Sequence, residues 1–382
     1  MPSEAASVFR RFSSGKNATG TISQRLTFPA NYFGAKPRPC YKCFVVGFSQ
    51  AATLILGSFL RGNERELSRI EFGVKTGQGG YSYEELVKVW GAAEELGYDS
   101  AWLYDHFYAL GGDKTQPCLE AWTTLGALAA VTERLKMGIM VTCVSYRQPS
   151  LLAKIAATVD VVSNGRLVFG IGAGWYEKEY RAYGYQFPDQ ASRIMQLREA
   201  LIIIQKLWTE ESATFNGRFY SIQDAVCSPK PLQKPRPRMI IGINRGKKTL
   251  PRMAVKYADG LNVTSSSFDE CKAVISAARV AADKLGRKDP LISWQGFILI
   301  GRTPSEIQER ITKAARRRGV SDADFRKMSQ ERGLIVGTPD ECVSRLREFE
   351  SIGVNSFVLG FTGDIDITPL EIFRDTVAPE LR

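Results

Sequence analysis

RLKMGIMVTCVSYRQPSLLAKIAATVDVVSNGRLVFGIGAGW (residues 134–175) alternates two periodicities, and that alternation decides the fold. LKMGIMVT is a short apolar run of strand length. SLLAKIAATVDVVS has helical spacing and is closed by the Asn164-Gly165 turn. RLVFGIG is a second buried-strand run. A strand, a helix and a strand follow one another with almost nothing between them.

The same rhythm extends in both directions. Upstream, RIEFGV reads as a strand and SYEELVKVWGAAEELG as a helix, with Ser82 and Glu85 at capping-box spacing. Leu86, Val89, Trp90, Ala93 and Leu96 share one helical face, and Gly97 ends it. SAWLYDHF is the next strand and EAWTTLGALAAVTE the next helix. Downstream, residues 176–236 interrupt the pattern with a helix (REALIIIQKLW), a hairpin (ATFNGRFYSI) and a proline-rich run (PKPLQKPRPR). MIIGI, a helix, GLNVT, a helix over roughly 268–285, LISWQGFILIG and NSFVLGF then complete eight strands. Eight strands with helices between them predict an α/β (β/α)8 TIM barrel with a long insertion after strand 4. An open doubly wound sheet is the alternative.

Composition narrows the function classes. The 382 residues are 44% hydrophobic and 24% charged, as in ordinary globular enzymes. No run approaches the roughly 20 apolar residues that span a bilayer, so no membrane partner is expected. The net charge is +11, but residues 1–69 alone hold ten Lys/Arg against three Asp/Glu. The basic excess belongs mostly to this leader, which argues against a nucleic-acid partner. Residues 1–68 lack periodicity and read as an N-terminal extension, disordered or the product of a mis-assigned start. Residues 69–382 read as the barrel domain. Seven scattered cysteines, an odd number, point to a reducing, cytoplasmic compartment. The Cys40/Cys43 pair has no second ligand pair, and the single histidine, His106, is far away in sequence, so no metal is expected.

Active sites of such barrels lie at the C-terminal strand ends. Strand two ends at YDHF, which places Asp105 and His106 at the mouth. An imidazole donates or accepts a proton near neutral pH; a rim histidine bonded to a backbone carbonyl is the equal alternative. GIGAGW is not the dinucleotide fingerprint, because Trp175 stands where the third glycine belongs. Gly170, Gly172 and Gly174 strip the side chains from one face. A planar ring lying against the backbone and tight layer packing inside a barrel both account for this. In GINRGKKT, Gly242 and Gly246 allow close backbone approach, while Lys247, Lys248 and Thr249 open a helix, an arrangement suited to a phosphate.

Residues 134–184, together with LREALIIIQKLWTEESATFNGRFYSI, KYADGLNV and GTPDECVSRLREFESIGVNSFVLGF, resemble the bacterial luciferase-like superfamily, in particular its coenzyme F420-dependent oxidoreductases. The resemblance covers about residues 69–382. It implies a deazaflavin ring at the barrel mouth, with the glycines clearing space beside it and Trp175 bordering the substrate pocket. By the same resemblance Asp105 and His106 contact the ring, a non-proline cis peptide falls near Met140-Val141, and Thr142 and Cys143 meet the ring's polar edge. Relatives read four glycines where this chain has Ile243-Asn244-Arg245-Gly246, the stretch that holds the coenzyme phosphate. Gly242, Asn244, Gly246 and Lys247 are thus expected to be phosphate contacts, with Arg245 as a direct ligand. The implied activity is hydride transfer between F420 and a small-molecule substrate, with His106 passing the proton and Glu177 as a secondary acid or base. The loop after strand two, residues 175–185, Trp294 and the basic stretch RRRGVSDADFRK are expected to close the pocket. A flavin mononucleotide (FMN) monooxygenase, a methylenetetrahydromethanopterin-type reductase and a non-catalytic cofactor-binding protein are the alternatives. Relatives of this type are commonly dimers, so the resemblance also implies a homodimer.

Overall fold

The computed structural model describes residues 69–382 apart from 111–113, 245, 265–266 and 362–365. The expected N-terminal extension, its Cys40/Cys43 pair and Arg245 lie outside the described residues.

Local signals start the helices. Ser82 caps α1 (Tyr83–Glu95): its hydroxyl accepts from the Glu85 N–H at 3.2 Å, and the Glu85 carboxylate accepts from the Ser82 N–H at 2.7 Å. Two otherwise orphaned donors are satisfied together. The face expected to be apolar buries Leu86, Val89, Trp90 and Ala93. Each large side chain removed from water there contributes about 1.5–3 kcal/mol. The Glu120 carboxylate caps helix α2 (Ala121–Val131), while α3 (Pro149–Val162) has no side-chain cap and opens on a proline whose missing N–H costs nothing at that position.

The strands they flank are β1 (Glu71–Lys75), β2 (Ser100–Leu103), β3 (Lys136–Ile139), β4 (Leu167–Gly172), β5 (Arg238–Ile243), β6 (Gly260–Val263), β7 (Leu291–Ile300) and β8 (Ser356–Phe361). All pair in parallel with their neighbours, and β8 returns to β1 with Ser356 opposite Glu71. That last pairing closes a barrel and removes the open-sheet alternative. The insertion after β4 contains the short helix Glu177–Ala182, the long helix α4 (Gln190–Thr209) and a hairpin of Ala213–Asn216 with Ser221–Ala225. After β5 come α5 (Thr249–Tyr257), α6 (Phe268–Leu285) and α7 (Pro304–Arg318). The strand Ile335–Gly337, which the sequence pattern did not suggest, pairs with the C-terminal half of β7.

Strand alternation sorts the side chains. Outward positions such as Phe72 and Val74 join the core between sheet and helices. Inward positions Trp102, Met140, Val168, Ile240 and Val358 fill the lower barrel. Nearer the C-terminal end, the inward positions turn small or polar: Lys75, Gly172, Gly242, Asn262 and Gln295. That change of side chain, rather than any backbone opening, creates the mouth.

Candidate active site

A cavity of about 460 Å³ opens at the C-terminal ends of the strands. Of the sequence-derived candidates, it brings together Asp105, His106, Met140, Val141, Thr142, Cys143, Gly172, Gly174, Trp175, Gly242 and Asn244. Glu177, Gly246 and Lys247 do not line it.

The Met140-Val141 peptide is cis, as the resemblance implies. The glycines explain what this geometry needs. A Cβ at Gly172 would stand 2.7 Å from Val141 Cγ2, and a Cβ at Gly242 would stand at the same distance. Glycine on two adjacent strands therefore makes room for the Val141 side chain. The space that the sequence assigns to a ring or a phosphate is filled by valine, which presents an apolar platform to the cavity. Gly170 is a matter of backbone packing, since a Cβ there would lie 2.2 Å from the Ile139 carbonyl oxygen. Gly174, at φ 76°, has the Tyr180 hydroxyl and the Cys143 sulfur against its open face.

Asp105 and His106 are both present but hold different partners. Asp105 accepts two hydrogen bonds from the Arg147 guanidinium, at 2.7 and 3.0 Å, and one from the Cys143 N–H at 2.8 Å. Arg147 also reaches Glu120. The two carboxylates beside it raise the guanidinium further above its ordinary range, against the opposing effect of burial. Asp105 thus ties the end of β2 to the segment after the cis peptide. His106 is tied to Glu179: its Nδ1 lies 2.7 Å from a Glu179 oxygen. Glu179 is fully buried and also accepts from the Phe107 N–H at 2.9 Å, the Tyr108 N–H at 3.0 Å and the Tyr146 hydroxyl at 3.1 Å. Since a carboxylate only accepts, Nδ1 carries the hydrogen and Nε2 is left for the cavity.

The expected secondary acid, Glu177, is a partly exposed residue paired with Arg181 one helical turn on. The carboxylate that reaches the histidine stands two residues later. Helical spacing explains the displacement, because Glu179 and Tyr180 turn inward from the short helix while Glu177 and Arg181 turn out. Trp175 stays 64% exposed at the rim, with its ring 5.7 Å edge-on from His106. Trp294 is buried against Phe349 at 4.4 Å, outside the barrel, so Gln295 is the β7 residue that faces the cavity. The basic stretch Arg316, Arg317 and Arg318 ends α7, where cations complement the helix dipole, and does not line the cavity. Pro251 falls in the first turn of α5, where proline is tolerated.

Burial pushes the Cys143 thiol up to about 12, so it is a packed thiol rather than a nucleophile. Its sulfur lies 3.0 Å from the Tyr180 hydroxyl. The Thr142 hydroxyl is fully buried, lines the cavity and has no hydrogen-bond partner. A buried hydroxyl left open at a cavity wall is available to a ligand's polar edge. An apolar platform beside an orphaned polar atom fits a flat heteroaromatic ring with a polar edge.

Comparison with known proteins agrees with this architecture. The family model for luciferase-like monooxygenases matches residues 67–356. The F420-dependent glucose-6-phosphate dehydrogenase of Segniliparus rotundus is 28% identical over 337 residues, covering 82% of this chain and 98% of the relative. Among solved structures, an F420-dependent secondary alcohol dehydrogenase in complex with an F420-acetone adduct superposes with a TM-score of 0.70 at 19% identity, over 82% of this chain and 99% of that one. Monooxygenase RslO1 from Streptomyces bottropensis gives 0.69 at 22% identity, over 82% and 100%. A dehydrogenase and a monooxygenase thus share the barrel, and the fold alone does not choose between their chemistries. The match over most of the barrel places this chain in the luciferase-like monooxygenase family.

Proposed function

We propose that this protein is an oxidoreductase that transfers a hydride between coenzyme F420 and a small organic substrate. The observation that carries the reading is the His106–Glu179 pair at the edge of a cavity backed by Val141. Support for F420 over FMN comes from curated relatives described as F420-dependent dehydrogenases. Val141 would back the ring and Thr142 would meet its polar edge. Asn244 and the residues that follow it would lie toward the phosphate. Bound there, the deazaflavin supplies a carbon centre that takes up or releases hydride.

The chain's own residues manage the proton and the geometry. When the substrate is oxidised, His106 Nε2 accepts the hydroxyl proton. Glu179, already bonded to Nδ1, balances the charge that appears on the imidazole without moving. In the reverse direction the same nitrogen returns the proton. Asp105 acts through position, holding the β2 end against the Thr142–Cys143 segment.

Equilibrium binding of F420 and of FMN, each followed by fluorescence quenching, tests the reading. Tight binding of F420 alone is expected. A preference for FMN overturns it in favour of an oxygen-consuming monooxygenase. Glucose 6-phosphate, the substrate named for the curated relatives, is the first candidate for the turnover assay. We further infer a homodimer. Helix α2 carries no charged residue, and Ala127, Val131, Leu151 and Val162 on α2 and α3 are exposed. Sedimentation equilibrium checks it, and a monomer at micromolar concentration refutes it. Residues 1–68 are proposed to be dispensable for coenzyme binding, and the protein is proposed to be cytoplasmic.

A further inference from the structure

Further around the mouth from Val141 the cavity wall has a different character. Lys75 comes from the end of β1, Asn262 from β6 and Gln295 from β7. With eight strands in order around the barrel, Lys75 and Gln295 stand away from the β4–β5 wall that receives Val141, while Asn262 pairs in register with Gly242 at the edge of that wall. The amide oxygens of Asn262 and Gln295 are both buried and have no hydrogen-bond partner. Asn262 spends its nitrogen on the Ser293 hydroxyl at 3.0 Å, which leaves its oxygen as the unmatched end of the amide. Lys75 is half-buried, the surrounding protein desolvates its amine, and no described carboxylate pairs with it. Asp105, a carboxylate lining the same cavity, is already held by Arg147. Arg193, the other described cavity cation besides His106, lies over the Phe187 ring and reaches the Pro188 carbonyl, with its Nε left unmatched.

Among the described residues, one amine without a carboxylate partner therefore shares a cavity wall with two acceptor oxygens that lack donors. Leaving such groups unmatched in a dry site is costly, and a ligand that satisfies all three at once removes the cost. The complementary molecule carries one anionic oxygen group for the lysine and at least one hydroxyl for the amides. Among the described residues Lys75 is the cation beside these two amides, and one ammonium suits a single negative charge better than a phosphate dianion, which is usually gripped by several donors. We propose that the substrate is a small hydroxylated monocarboxylate, with its carboxylate on Lys75 and a hydroxyl on Gln295 or Asn262. The proposal rests on the reading above, because it assigns the Val141 side of the cavity to the coenzyme.

The test is calorimetric titration of the full-length protein, with F420 present and absent, using lactate, lactamide, propionate and glucose 6-phosphate as probes. Lactate is expected to bind at least about 10-fold more tightly than either lactamide or propionate, a difference of about 1.4 kcal/mol. Lys75→Met is expected to abolish the lactate–lactamide difference, and Lys75→Arg to keep part of it. Equal binding of lactate and lactamide by the native protein overturns the proposal. So does discrimination that survives in Lys75→Met, or glucose 6-phosphate binding more tightly than lactate through Lys75. F420 affinity measured in the same samples separates the two readings: loss of F420 binding refutes the coenzyme assignment, while intact F420 binding without carboxylate preference refutes this one.

Discussion

The two walls of the barrel mouth differ in how completely their polar groups are satisfied. On the β2–β4 side the charged groups are paired, with only the Thr142 hydroxyl of the cavity lining left open: Asp105 with Arg147 and the Cys143 N–H, His106 with Glu179, and Glu179 with four donors. On the β6, β7 and β1 side, Lys75, Asn262 and Gln295 carry unmatched groups into the same space. A saturated wall is preorganised, so it changes little when a ligand arrives and can hold a proton-transfer group at one angle. An unsaturated wall stores its hydrogen bonds for the ligand and so reads identity. The molecule divides chemistry from recognition across one cavity, a division that substitutions on each side can break.

The largest effect is expected at the saturated wall. His106→Ala should lower turnover by about 100- to 10,000-fold while F420 affinity stays within about threefold of native. Rapid-mixing kinetics alongside equilibrium quenching would check both. Native turnover in the variant would remove the proton-transfer role and leave this wall merely structural. Next in size is Arg147→Met, which strands the Asp105 carboxylate among buried neighbours. Urea unfolding should report a loss of about 3–5 kcal/mol. A loss under about 1 kcal/mol would mean that Asp105 does not depend on its guanidinium partner. Gly172→Ala comes third, because its methyl carbon would fall 2.7 Å from Val141 Cγ2. A cost of about 1–3 kcal/mol and weaker F420 binding are expected. Both should be largely relieved in the Gly172→Ala, Val141→Ala double variant. Failure of that rescue would show that the two side chains do not compete for one space.

The barrel was legible because β strands and helices alternate in period as well as in order, and Ser82–Glu85 or Asn164-Gly165 mark the boundaries within a residue or two. The site was legible only where position alone decides function. His106 follows a strand end, so the barrel rule places it at the mouth. Its partner, Glu179, sits on a six-residue helix whose inward face cannot be read from so short a pattern, and the partly exposed Glu177 looks equivalent in sequence. Gly172 and Gly242 announced that something needs room, but the occupant, Val141, comes from a third segment brought in by tertiary packing. On β7 the more conspicuous Trp294 faces out and Gln295 faces in, because strand alternation is visible in sequence while its phase is set by the closed barrel. Lys75, Asn262 and Gln295 carry no motif at all. They become a group only because β1, β6 and β7 are brought around one axis.

A smaller effect is expected at the unsaturated wall, with a pH signature. Burial lowers the Lys75 amine from 10.5 to about 7. Between those values the unfolded chain holds a proton that the folded chain has released, so stability rises with pH across this window. Below pH 7 both states are protonated and the folded protein bears the full cost of enclosing the charge. Lys75→Met should therefore be more stable than the native protein at pH 6, with the advantage shrinking toward pH 10. The limiting slope is about 1.4 kcal/mol per pH unit, reduced by whatever water the cavity admits to the amine. Parallel denaturation curves for the two proteins at pH 6, 8 and 10 would check it. A constant difference would mean that Lys75 keeps its charge in the folded protein and that the wall is less dry than its orphaned amides suggest.

The smallest effect sharpens the contrast between Glu177 and Glu179, two carboxylates on one short helix. Glu177 pairs with Arg181 in solvent, an arrangement worth roughly 0.2–0.5 kcal/mol. Glu177→Ala should leave turnover within about twofold of native and shift stability by no more than that amount. Glu179→Gln keeps the size and one acceptor but places an amide where four donors converge. It should slow turnover and change the pH–rate profile, since the imidazole loses the group that balances its charge. If Glu177→Ala were the slower enzyme of the two, the proton path would run through the rim of the cavity, and the buried Glu179 would only brace the loop that carries His106.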